Sequence, residues 1–198
     1  MGRTRLEAFS DGVIAVIITI MVLELKEPAG AGFDAFKTLW PVLLIYVLSF
    51  INVGIYWNNH HHLMHLVPKV NGAILWANLH LLFWLSLVPF CTAWMGSHPA
   101  ASAPTTVYGI VLLAASLAYW VLQSVVIRFQ GPTSLMADAI GNDSKGKLSS
   151  ALYLISIAAS FYFPHVAQGI LVLVALIWLV PDRRVERVVG KLPAGETE

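Results

Sequence analysis

The residues able to do chemistry in this chain sit where polar chemistry is hardest to accommodate. Arg5, Ser10 and Asp11 open directly into the apolar run Gly12–Leu23, and a second apolar run closes on Trp57-Asn-Asn-His60-His61-His62-Leu-Met-His65. A mid-membrane aspartate costs about 2.5–3.5 kcal/mol on insertion scales, so such a group faces a partner or an aqueous path. His61 and His65 stand four apart, about one helical turn, the spacing at which two imidazoles share a metal ion. They are weak metal candidates, because no Asp or Glu lies within their run and no His-Glu-x-x-His pattern occurs, which argues against a catalytic metal and against an enzyme. Two other uses compete with metal binding. One is structural pairing, in which Asp11, with Ser10 and Arg5, hydrogen-bonds a histidine or Asn58 of the second run. The other is pH sensing, since imidazole titrates near neutrality.

Membrane helices must position these groups. Of 198 residues, 58% are hydrophobic and 12% charged, against about 25% charged in an ordinary soluble domain. A span takes about 20 mostly apolar residues. Segments 6–25, 38–63, 71–95, 105–129, 148–163 and 166–181 approach that length. The last two read as short spans on either side of Tyr162-Phe-Pro164-His165, because lipid does not tolerate unpaired loop backbone. The expected fold class is therefore all-α: a polytopic membrane protein with six transmembrane helices in one domain, residues 1–181, followed by a charged tail, 182–198. No tandem repeat is visible.

With that count, Arg3, Arg5, Lys69, Arg128, Lys145, Lys147, Arg183, Arg184, Arg187 and Lys191 fall on one side of the bilayer. Only Lys26 and Lys37 fall on the other. The bias places both termini, and the tail, in the cytoplasm. A net charge of +1 argues against a nucleic-acid partner, for which a basic patch is expected. Cys91 is the only cysteine, so no intrachain disulfide forms. No cleavable signal peptide is expected at the N-terminus.

Within the first helix, Val16, Thr19, Ile20 and Leu23 share one face, and Asp11 lies about 140° around from Val16. If the aliphatic row faces an axis, Asp11 turns toward neighbouring helices. The row by itself equally describes packing or lipid contact, and Thr19 can satisfy its hydroxyl on a backbone carbonyl. In the third span, Asn78 is placed to bond between helices, a contact worth about 1 kcal/mol, His80 lies nearby, and Pro89 should kink the helix. Trp40, Trp57, Trp76 and Trp94 lie near span ends and read as interfacial anchors.

Arg5-x-x-x-Phe9-Ser10-Asp11 resembles the signature of the transmembrane protein 175 family, endolysosomal potassium channels and their shorter prokaryotic relatives. Trp57-x-x-His60, and Asn78 followed by Pro89-Phe90, resemble that family's further motifs. The resemblance covers roughly the first 95 residues. It implies a potassium-permeable homotetramer in the inner membrane of a prokaryotic cell, passive conduction with K+ as the permeant ion, and no cofactor. It also implies a central pore lined by the first helix. Val16 then falls at the hydrophobic constriction, Thr19 at the layer tied to potassium preference, and Ile20 and Leu23 along the outer wall. Arg5, Phe9, Ser10 and Asp11 fall in the motif that locks the first helix against the next two, with Trp57, His60 and Asn78 as partners. Val16 is smaller than the Ile or Leu usual at the constriction, which leaves Ile20 or Leu23 as alternative positions for the gate.

With no Thr-Val-Gly-Tyr-Gly loop in the chain, selectivity by a carbonyl filter is excluded and a dewetting aliphatic neck is expected. Glu24, Glu27 and Asp34 would concentrate cations at its outer mouth. The alternative function, a cation- or proton-coupled secondary transporter, would want broken helices and internal duplication.

Overall fold

The structure, a computed structural model, describes residues 2–37, 39–67, 69–131 and 143–179, and every regular element among them is an α-helix. In chain order these are α1 (Arg3–Leu23), α2 (Phe33–Lys37), α3 (Trp40–His65), α4 (Gly72–Ser86), α5 (Val88–Ser97), α6 (Ser102–Gln130), α7 (Ser144–Ser160) and α8 (Pro164–Leu179). The expected tail 182–198 lies outside the described residues.

Among the described residues, four stretches are long and apolar enough to cross a membrane: α1, α3, the α4–α5 pair taken together, and α6. The α4–α5 pair is one span interrupted at Leu87, just before Pro89 in the first turn of α5. A proline removes a backbone donor and crowds the preceding turn, so the ladder breaks ahead of it. α4 begins where it does because the Asn71 side chain accepts from the Ile74 N–H at 2.9 Å, which satisfies one of the unpaired first-turn donors. The Asp143 carboxylate does the same for Gly146 at 2.9 Å, and α7 accordingly starts at Ser144 instead of near residue 148. At 17 and 16 residues, α7 and α8 rise about 25 Å, short of a hydrocarbon core of about 30 Å.

The bundle is built around α6, which packs against α4, α5, α7 and α8, while α1 lies in the notch between α3 and the α4–α5 pair. Polar side chains inside the bundle bond across helices because lipid offers them no partner. Ser149, Ser156 and Ser160 line the buried face of α7. Their hydroxyls meet the Trp178 indole at 2.7 Å, the Ala167 carbonyl at 2.9 Å and the Thr106 hydroxyl at 2.6 Å.

A second cluster joins α3, α5 and α6. The hydroxyl of the fully buried Tyr108 lies 2.9 Å from Ser49 Oγ, which also accepts from Thr92 Oγ1 at 2.7 Å. Tyr108→Phe should lower stability by about 0.6 kcal/mol and at most about 1.7, the range measured for interhelical hydrogen bonds in membranes. A denaturant or heat titration in detergent checks this, and a loss above 3 kcal/mol would mean that the phenol carries more than this one bond.

Candidate functional site

α1 has two unlike faces. Leu6, Ser10, Ile14, Ile17 and Met21 are its buried residues, and their three- and four-residue spacing draws one stripe down the helix. This stripe faces α3, α4 and α5. Around the helix from it, Val16 is 54% exposed, Ile20 41% and Leu23 80%, with Thr19 exposed among them. The row singled out from the sequence is therefore the row that the rest of the subunit leaves uncovered. Thr19 donates its hydroxyl to the Val16 carbonyl at 2.9 Å, so the oxygen's lone pairs point outward.

The buried stripe carries a continuous polar relay. Ser10 Oγ donates to the Leu6 carbonyl at 2.9 Å and accepts from Asn78 Nδ2 at 2.9 Å. Asn78 Oδ1 lies 2.7 Å from His60 Nε2. The serine has one proton, already given to Leu6, so the amide must turn its nitrogen to Ser10 and its oxygen to His60. The oxygen can only accept, which places a proton on His60 Nε2 and leaves Nδ1 as the lone-pair nitrogen. Ser10, His60 and Asn78 are all fully buried, and His60 Nδ1 has no partner among the described residues. Three helices, α1, α3 and α4, are thereby tied at one level.

Asp11 sits on the flank of α1 and takes a partner other than the expected histidine or Asn58. Its Oδ1 accepts from the Trp57 indole at 2.9 Å, and the Trp57 ring stacks on His61 with centroids 5.9 Å apart. Trp57 therefore does not act as a free interfacial anchor, because its N–H is committed to a carboxylate on the neighbouring helix. Arg5 and Phe9 do not join this hydrogen-bonded attachment of α1. Arg5 is exposed and makes no hydrogen bond or ion pair among the described residues, and Phe9 is 48% exposed. Both fall on the outward face because, at helical spacing, Phe9 lies about two turns and Arg5 about three turns before Val16. Phe9, Val16 and Ile20 form one wall of an open cleft of about 760 Å³, with Pro89 and Phe90 opposite.

One turn closer to the N-terminus, α1 brings Glu7 and Arg3, which the sequence reading did not pair with them, to the expected His61–His65 pair. Glu7 Oε1 lies 3.2 Å from His61 Nδ1, and His61 Nε2 lies 3.0 Å from His65 Nε2. Arg3 donates to the His65 carbonyl at 3.3 Å and approaches Glu7 at 3.9 Å. The missing signal was the repeat Arg3, Glu7, Asp11, which marks one edge of α1. At the other end of α1, Asp34 pairs with Lys37 at 2.6 Å, so its charge is largely offset, whereas Glu24 stays exposed at the helix terminus.

Known proteins resemble this chain in sequence and in fold. A family model described as endosomal/lysosomal potassium channel TMEM175 matches residues 5–89, the span holding Phe9, Ser10, Asp11, Trp57, His60 and Asn78. A potassium channel of Chryseobacterium sp. is 54% identical over 187 residues, 94% of this chain and 97% of that protein. A potassium channel of Streptomyces collinus is 36% identical, over 60% of this chain and 61% of its own length. The crystal structure of a lysosomal potassium-selective channel TMEM175 homolog from Chamaesiphon minutus matches with a TM-score of 0.80 at 30% identity, covering 91% of this chain and 97% of that one.

Proposed function

Because the chain belongs to the endosomal/lysosomal potassium channel TMEM175 family, we propose that this multi-pass membrane protein conducts potassium passively, with α1 lining a path shared between subunits. The observation that carries this reading is the uncovered row Val16, Thr19, Ile20 and Leu23, on a helix whose opposite face is held by a buried hydrogen-bonded relay. A homotetramer turns four such rows toward one axis. The first helices then form an apolar neck, which excludes ions by dewetting when narrow and admits them when a small rotation or widening of α1 hydrates it.

Thr19 supplies the oxygen of that neck. With its proton on the Val16 carbonyl, each hydroxyl offers lone pairs to a partly dehydrated cation, and flexible side chains make a soft, modestly selective cage. Glu24 stands at the outer end of α1 and raises the local cation concentration. The asymmetry of Lys and Arg orients both termini to the cytoplasm, in the inner membrane of a prokaryotic cell. Ser10, Asp11, Trp57, His60 and Asn78 act on conduction indirectly, by fixing how α1 is rotated.

Reversal-potential recording across a potassium gradient tests the function. The current should reverse near the potassium equilibrium potential and grow with driving force without saturating. Saturating flux would point to a carrier, and reversal at zero would deny cation preference. Thr19→Val should keep conduction while moving the reversal potential in mixed potassium and sodium toward the unselective value. An unchanged ratio would remove Thr19 from the selective layer.

A further inference from the structure

We propose a binding site for a first-row transition cation of the zinc class, formed by Glu7 of α1 and His61 and His65 of α3. One ligand atom from each of these residues lies within 4.8 Å of the other two. The mix of two imidazoles and one carboxylate suits a borderline-soft cation better than a hard one such as magnesium. It is a clasp, since its ligands come from two different helices.

The geometry is close to that of a bound ion. The facing nitrogens of His61 and His65 are 3.0 Å apart. A tetrahedral zinc with Zn–N bonds of about 2.05 Å holds two nitrogens about 3.3 Å apart. Ring movements of a few tenths of an ångström therefore admit the ion. Glu7 needs a larger adjustment, a rotation that brings one oxygen from His61 Nδ1 onto the metal. The three side chains are half-buried, so the fourth position opens to water and to incoming ions. The helix supplies the histidine pair without strain, because residues four apart project from one face.

Without metal, the same atoms satisfy one another. Arg3 reaches toward His65 Nδ1 at 3.5 Å, His65 Nε2–H points to His61 Nε2, and His61 Nδ1–H points to Glu7. Binding requires the His65 proton to move from Nε2 to Nδ1, so Arg3, which can only donate, must then withdraw from that nitrogen. Arg3 thus opposes the cation, by charge and by hydrogen-bonding sense. Removing it should tighten binding, an effect that a merely structural cluster would not produce.

The test uses the full chain, freed of any affinity tag, in detergent and washed with chelator. Zinc should bind at one equivalent per subunit and raise the unfolding temperature, and cobalt should give the visible absorption of a tetrahedral site. His61→Gln and His65→Gln should each weaken zinc binding at least about tenfold, and Arg3→Gln should strengthen it. None of these three residues belongs to the Ser10–Asn78–His60 relay. No stabilisation of the unaltered protein by zinc, equal stabilisation by magnesium, or full affinity in the His61→Gln/His65→Gln protein would each overturn the site. If a histidine variant does not fold, weaker zinc binding by Arg3→Gln overturns it alone. None of these readouts depends on ion conduction.

Discussion

Asn78→Leu is expected to cost about 2–4 kcal/mol of stability, the largest loss among the substitutions considered, because it strands the buried His60 and leaves the buried Ser10 with only its bond to the Leu6 carbonyl. The asparagine amide accepts from His60 and donates to Ser10. Leucine has a similar shape, so the loss is electrostatic and not a cavity. His60, whose Nδ1 is already unpartnered, would then have neither ring nitrogen bonded among the described residues. Interhelical hydrogen bonds in membranes average only about 0.6 kcal/mol when both partners can find alternatives, and the full burial of this relay denies them that.

A double-mutant cycle isolates the relay. Ser10→Ala alone strands the Asn78 amide, but in the Asn78→Leu background it has little left to break, so the two losses should be less than additive. Additive losses, or single losses below about 0.5 kcal/mol, would mean that α1 is held by its apolar stripe alone. Asp11→Ala should be milder than Asn78→Leu, because its bond to the Trp57 indole lies at a partly exposed position where water can replace it. The motif's aspartate is thus not its strongest point of attachment; the buried serine is.

The second large effect concerns conduction. Ile20→Ser should raise potassium flux at least about tenfold, equivalent to about 1.4 kcal/mol off the barrier, by hydrating an apolar neck. In the proposed homotetramer, four sec-butyl side chains would be replaced by hydroxymethyl groups at once. Ile20 belongs to the uncovered face of α1, so the fold and the Ser10–Asn78–His60 relay should survive. The control is built into the helix, because Ile18 lies on another face. Flux through Ile20→Ser proteoliposomes that matches the unaltered protein, with normal assembly, would place the row in lipid and remove α1 from the ion path.

The relay and the row are two sides of one constraint. A helix bonded through Ser10 and Asp11 cannot rotate freely, and in the proposed pore its rotation would decide which residues meet the axis. On the proposed reading, a motif one to three turns before the Val16–Leu23 row would act on conduction without its buried polar members touching an ion.

By itself, the sequence determined much of what depends on a residue's own helix. The apolar runs place the helices, and the periodicity of α1 separates Val16, Thr19, Ile20 and Leu23 from the face of Ser10. Pro89 marks the break that falls at Leu87. Only the tertiary structure decided who pairs with whom. It gave Asp11 to Trp57 and not to a histidine, and brought Glu7 to His61 and His65. The physical reason is that periodicity reports the direction a side chain takes around its own axis. Pairing depends on the rotation and axial register of two helices relative to each other, and packing sets these across residues far apart in the chain.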